Sequence, residues 1–203
     1  MFMNRLTMTF TALTLVTSLA ACGKKKEGDG GGGGGGDEAK APTMTINEAE
    51  WEAKDLHAVA PLINVTMKVP KTAKLEKNGN GGVDITVSPF YLITVSAIAV
   101  SNIAEGKKSD KSLTVERTDK YINAKVITEE PNGFVYTVQM KTEENGNTYQ
   151  PEAHFAYYLD KDGAIYSIAD ERPLDAYSTP GSAYSPEIAT KVYGIVKGSA
   201  KVN

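Results

Sequence analysis

The chain of 203 residues has one cysteine, Cys22, and two histidines, His57 and His154. With a single thiol no disulfide forms within the chain, so a folded body must rely on its apolar core. The histidines lie nearly a hundred residues apart and neither sits in a His-x-x-x-His spacing, which leaves a zinc site or a histidine-based triad without support. No Gly-x-Ser-x-Gly elbow is present to carry a serine nucleophile. Charge of one sign is also lacking: 22 Lys and Arg are mixed with 25 Asp and Glu, for a formal net charge of −3. Nucleic acid is bound largely through clustered Lys and Arg on phosphates, so no nucleic-acid partner is expected. Nor is there a long hydrophobic run. The most apolar stretch, Leu6 to Leu19, is broken by five threonines (Thr7, Thr9, Thr11, Thr14, Thr17) and falls short of the roughly 20 residues a membrane-spanning helix needs.

What is present divides the chain in three. Met1 to Arg5 form a short, positively charged start, followed by the apolar stretch and then by Leu19-Ala20-Ala21-Cys22. Residues 1–21 thus read as a signal peptide. The four residues Leu19-Ala20-Ala21-Cys22 resemble the lipobox of bacterial lipoproteins, the site of signal peptidase II. The resemblance covers residues 1 to about 23. It implies cleavage between Ala21 and Cys22, a diacylglyceryl group on the Cys22 thiol, acylation (palmitate-type) of the new amino terminus, and a chain held at the cell envelope by lipid. Two or three acyl chains, at about 0.8 kcal/mol per buried CH₂, anchor stably where one does not. Gly23 stands where the enteric sorting rule would place an Asp for inner-membrane retention, so the expected address is the outer membrane.

Residues 22–42 read as a linker. Lys24, Lys25 and Lys26 precede Gly28-Asp29 and seven consecutive glycines, Gly30 to Gly36, which bury nothing and lose much entropy if ordered. A spacer of this length has a root-mean-square reach of about 25 Å and a stretched limit of about 70 Å. No Gly-Lys-Ser/Thr ending accompanies the glycines, so a phosphate loop is not indicated.

Residues 43–203, roughly 160 residues, suffice for one domain. Asn47-Glu48-Ala49-Glu50 reads as a capping box and predicts a short first helix from about Glu48 to His57. From Leu62 to Val69, Ile63, Val65, Met67 and Val69 alternate onto one face of a strand that Pro70 ends. Asn78-Gly79-Asn80-Gly81-Gly82 marks a hairpin between Ala73–Lys77 and Val83–Ser88. Phe90 to Val100 reads as a strand to about Ala97, with the residues to Glu105 irregular or helical. Four segments, Tyr121–Glu129, Phe134–Thr142, Tyr149–Leu159 and Ala164–Ala169, are separated by turn signals and describe an antiparallel meander. Ser185-Pro186-Glu187 then starts a helix to about Ala200, with Ile188, Val192, Ile195 and Val196 on one stripe. The predicted class is α+β: an antiparallel sheet of about six or seven strands, a short N-terminal helix, and a C-terminal helix packed on the sheet. This layout of helix, meander and closing helix is similar to PsbP/Mog1-like domains, without a shared residue motif, and folds of this kind host unrelated roles.

Candidate chemistry in the domain is sparse. Asp160-Lys161-Asp162-Gly163 with Glu171 imitates a calcium loop, but its glycine is at the fourth position instead of the sixth, and a hairpin turn accounts for it. Asp170-Glu171-Arg172 with Asp175 reads as a solvated acidic loop, with a site for a cation or a basic partner as the alternative, and His154 as a structural or surface histidine within a strand. Tyr157, Tyr158, Tyr166, Tyr177, Tyr184 and Tyr193 read as half-buried packing, with a ligand groove or partner surface as the alternative. No residue is assigned a catalytic, cofactor-binding or metal-ligating role. The expected partners are the membrane, through lipid on Cys22, and an envelope protein or small ligand. The function that fits is a non-catalytic binding or assembly-accessory module. An envelope enzyme of hydrolase type, with a site assembled from scattered residues, and a structural surface protein are the competing readings.

Overall fold

The computed structural model describes residues 44–141, 149–171 and 184–203. Its centre is the expected meander: β6 (Tyr121–Glu130), β7 (Gly133–Met140), β8 (Glu152–Lys161) and β9 (Ala164–Glu171), each antiparallel to the next. Upstream lie β3 (Lys74–Lys77), β4 (Val83–Ser88) and β5 (Tyr91–Ile98), and β9 closes onto β5, giving one seven-stranded sheet in the order β3-β4-β5-β9-β8-β7-β6. The β3–β4 turn forms as its residues demand: Asn78 Oδ1 accepts the Asn80 and Gly82 N–H groups at 3.1 and 2.9 Å, and Gly81 takes φ +83°.

A second, three-stranded sheet was not legible in the sequence. It pairs β1 (Trp51–Asp55) and the short C-terminal β10 (Lys201–Val202) on either side of β2 (Val65–Pro70), all antiparallel. The predicted helix from Glu48 to His57 is corrected here. Asn47 does cap, accepting the Ala49 N–H at 3.2 Å and donating to Glu50 at 3.1 Å, but it caps a single 3-10 turn, Glu48–Glu50. From Trp51 the backbone is extended, because five residue pairs with β2 and burial of the Trp51 ring outweigh a helix whose apolar residues, Trp51, Leu56 and Val59, would form only a partial face.

The two faces of the large sheet are dressed differently. On one face Val83, Ile85, Ile93, Val95, Val135, Phe155 and Ile168 meet Val65, Met67 and Val69 of β2 and the inner stripe of α2 (Pro186–Ser199) in one continuous core. The helix begins as expected, Ser185 Oγ accepting the Ile188 N–H at 3.2 Å with Pro186 in the first turn. The opposite face holds a small cluster, Phe134, Ala156 and Tyr158, under α1 (Ile103–Leu113). The α+β class, the seven-stranded antiparallel sheet and the packed C-terminal helix are as predicted, while α1 extends well beyond the residues read as irregular or helical. Asn102 caps it by accepting the Glu105 N–H at 2.9 Å. Its inward positions, Ile103, Gly106, Asp110 and Thr114, recur at helical spacing yet include only one large apolar residue. Gly106 permits the approach: a Cβ there would stand 3.2 and 3.3 Å from Tyr158 and Ile98 side-chain carbons.

Both sheet edges are irregular or short. Along β6 the pairing with β7 shifts register twice, between Ile122 and Lys125 and between Val126 and Thr128, and Asn123 takes φ +53°. At the other edge β3 has four residues, three of them charged.

Gly133 shows how α2 is seated. Its φ is not positive; what it needs is space, since a Cβ there would meet the Ala156 carbonyl oxygen at 2.6 Å and the Tyr193 ring at 2.9 Å. Tyr193 in turn packs edge-on against Phe155 and Tyr157 and donates to Glu130 at 3.1 Å. Gly133→Ala is therefore expected to cost about 1–3 kcal/mol of stability. Gly163→Ala, where φ is +82° but nothing lies within 4 Å, should cost only about 1 kcal/mol, through backbone conformation. Urea unfolding of both variants checks the ranking, and a Gly133→Ala protein as stable as wild type would show that α2 is not seated this way.

Candidate functional site

The strands β8 and β9 stop pairing at Ala156 and Ala169. One residue further on, the Asp170 side chain enters the gap. Its Oδ1 accepts the Phe155 N–H at 2.7 Å, the place a backbone carbonyl would hold had the ladder continued. Its Oδ2 faces His154 Nδ1 at 3.2 Å, and Glu152 Oε2 lies 3.6 Å from His154 Nε2. The Asp170 side chain is wholly buried, and those of His154 and Glu152 are 12% and 18% exposed. Glu152 and His154 are two apart on one strand and share a face, which places the imidazole between two carboxylates. Two aromatic rings flank it, Tyr136 at 5.6 Å and Tyr184 at 5.0 Å between centroids, and Tyr184 stacks on to Tyr91 at 5.2 Å.

Burial alone would push the His154 imidazole down, but the Asp170 and Glu152 carboxylates outweigh it and raise its pKa to about 9. At neutral pH the ring is an imidazolium with both N–H groups directed at carboxylates. The Tyr91 hydroxyl, buried without a hydrogen-bond partner among the described residues, is pushed well above its ordinary range by burial and by the field of Asp170.

A cavity of about 170 Å³ opens on this triad. Among the described residues its walls include Tyr121, Tyr136 and Tyr149, the apolar Val138 and Met140, and Gln150, with Lys120 resting over the Tyr121 ring at 5.0 Å. A second hollow of about 330 Å³ lies alongside, between α1 and strands β5 and β9, and shares Thr114, Tyr136 and Asp170 with the first. Its walls carry Asp110, Glu171, Thr94, Ser96 and Ser167. Tyr158 donates to Asp110 from the sheet below. Burial raises the Asp110 carboxyl, and burial together with Asp84 and Asp170 raises that of Glu171. Tyr136 forms the partition, its hydroxyl raised by burial and by Asp170 and Asp110 on either side.

The sequence placed these residues only in part. Asp170 and Glu171 belong to the end of β9 instead of a solvated loop, and Asp170 is among the most deeply buried polar groups; Arg172 and Asp175 lie outside the described residues. Tyr157, Tyr158, Tyr166, Tyr184 and Tyr193 are buried, more deeply than the half-buried packing read from the sequence, and Tyr177 lies outside the described residues. His57 lies on an exposed 3-10 turn and lines neither hollow. Asp160 to Gly163 is the β8–β9 turn, with positive φ at Asp162 and Gly163. Cys22 and Ala21 lie outside the described residues. The His154–Asp170 pairing escaped sequence reading because its members are 16 residues apart and meet only across a hairpin. A carboxylate two residues after Ile168, at an inward position of the same strand, was the available signal.

Comparison with known proteins returns little. No protein-family model and no curated protein matches the sequence. Among solved structures, the solution structure of cyanobacterial PsbP (CyanoP) from Synechocystis sp. PCC 6803 is similar at 13% identity and a TM-score of 0.42, over 83% of this chain and 100% of that one. The likeness to the PsbP-like fold is loose and concerns layout alone.

The triad makes stability depend on pH. His154 titrates at about 9 in the folded chain against an ordinary 6.5, so its contribution is complete below pH 6.5 and is lost as the pH rises through 9. That loss is expected to be on the order of 3 kcal/mol. It should appear in wild-type urea unfolding followed from pH 6 to pH 10 and be missing from the same series on His154→Gln. Parallel curves for the two proteins would mean that the imidazole is not held charged.

Proposed function

We propose that the chain is an envelope lipoprotein, anchored by lipid on Cys22 after cleavage behind Ala21, whose domain is a non-catalytic binding module working through the hollow at His154. The lipobox-like Leu19-Ala20-Ala21-Cys22, the Gly23 that follows and the glycine spacer support the anchor, with the outer membrane as its address. Among the described residues no helix is long and apolar enough to cross a membrane.

The observation that carries the binding reading is the state of His154. A general base needs a free lone pair on nitrogen within reach of the proton it takes. Here both imidazole nitrogens face carboxylates and the ring is charged at neutral pH, so it offers no lone pair as a general base and serves to brace a wall of the hollow. What surrounds it is the composition of a recognition pocket: tyrosine faces, a few apolar side chains and a small number of fixed polar groups.

Intact-mass spectrometry of protein extracted from membranes of the native host tests the anchor. The expected species begins at Cys22 and carries two or three acyl chains, and Cys22→Ala should lose both the added mass and the membrane association. An unprocessed or unacylated wild-type chain that still sediments with membranes would refute it.

A further inference from the structure

The geometry points to α1 as a lid, a helix that lifts off the large sheet as a unit while the rest of the fold stays intact, and that Glu129 latches in the closed position. Its opening unroofs the hollow of about 330 Å³ that lies between α1 and strands β5 and β9. That the opening admits a ligand rests on the binding reading above; the opening itself does not.

The two helices are held to the sheet by different kinds of contact. α2 buries Ile188, Ala189, Val192, Tyr193, Ile195 and Val196, whereas α1 buries Gly106 alone and its Ile103 is half-buried. The other ties of α1 are polar or electrostatic contacts of side chains. Tyr158 donates to the Asp110 carboxylate, and the Lys111 ammonium stands 5.6 Å over the Phe134 ring. Lys107 donates to the Glu130 carbonyl at 2.5 Å, and Lys107 and Lys111 converge on Glu129 at 3.1 and 2.6 Å. Glu129 is thus the shared point of attachment for two ammonium groups. It lies on the edge strand β6 just after the second register shift, and its side chain is 46% exposed, so water competes for it. Elements with few buried apolar contacts are those that open locally, well below the free energy of global unfolding.

A helix can leave its sheet as a helix only if its own ends stay satisfied, because orphaned N–H and C=O groups are costly. α1 meets this condition at both ends. At its start Asn102 Oδ1 accepts the Glu105 N–H at 2.9 Å, and Glu105 Oε2 accepts the Ser101 N–H at 2.7 Å. At its finish the Thr114 and Glu116 N–H groups both return to the Lys111 carbonyl, at 3.2 and 2.9 Å, and the Thr114 hydroxyl donates to the Asp110 carbonyl at 2.6 Å. All these partners lie between Ser101 and Glu116 and travel with the helix. The joints are then residues 99–101, after β5, and residues 115–120, before β6. Lifting the helix takes Asp110, Leu113 and Thr114 away from the hollow and leaves Thr94, Ser96, Ser167 and Ala169 behind on the sheet.

Native-state hydrogen exchange on the whole protein, at increasing urea concentrations below unfolding, tests the lid without any ligand. The α1 amides are expected to show protection about a hundredfold lower than those of α2, through an opening that urea promotes only weakly because little surface is exposed. Glu129→Gln, which keeps the side chain's size and removes its charge, should lower α1 protection by a further factor of about five and leave α2 unchanged. Equal protection of α1 and α2 in wild type, or an equal loss at both in Glu129→Gln, would mean that the helix departs only when the whole domain unfolds. Either result would overturn the lid while leaving the binding reading in place. An α1 protection that Glu129→Gln does not move would overturn the latch.

Discussion

A carboxylate that has been taken wholly out of water must find donors or leave. Asp170 is that group, and much of the architecture on its side of the sheet follows from it. One oxygen captures the Phe155 N–H, which ends the β8–β9 ladder. The other fixes His154, which then requires a second carboxylate, Glu152, and is flanked by the rings of Tyr136 and Tyr184. The gap opened between two strands that would otherwise pair to their ends is where the hollow lies. Position and polarity of the site are thus set by a single substitution of a side-chain oxygen for a backbone one.

The sheet separates two kinds of work. Its α2 face is closed by apolar residues from the second sheet and the helix, and supplies the burial on which a domain without disulfides depends. Its α1 face is only partly covered, and α1 brings Asp110 and Thr114 to the interior in place of a hydrophobic stripe. A helix that turns polar groups inward contributes little to packing. Its value is in walling a groove, and Gly106 lets it stand close enough to do so.

This division also explains which elements could be read from the sequence. The meander and α2 obey the periods of 2 and 3.6 with clear turn and cap residues, and each was placed to within a few residues. The element at Glu48–His57 was misread because the Asn47 cap is genuine but local, and pairing with β2 decides the backbone after Trp51. Most of α1 went unread because a hydrophobicity pattern does not register an inward face made of Gly106, Asp110 and Thr114. The triad was unread for a related reason: Glu152 and His154 alternate like any exposed strand pair, and only the hairpin brings Asp170 to them. Local rules failed where the residues serve the groove more than the core.

The margins of the large sheet have their own consequence. Open edges of flat sheets invite the same edge of another copy, and the invitation grows with local concentration. Here β6 is twice out of register and carries a left-handed Asn123, while β3 is four residues long and mostly charged. Neither margin presents a straight ladder of free N–H and C=O groups for a neighbour to extend. A second copy brought alongside would therefore find no straight margin of this sheet to extend.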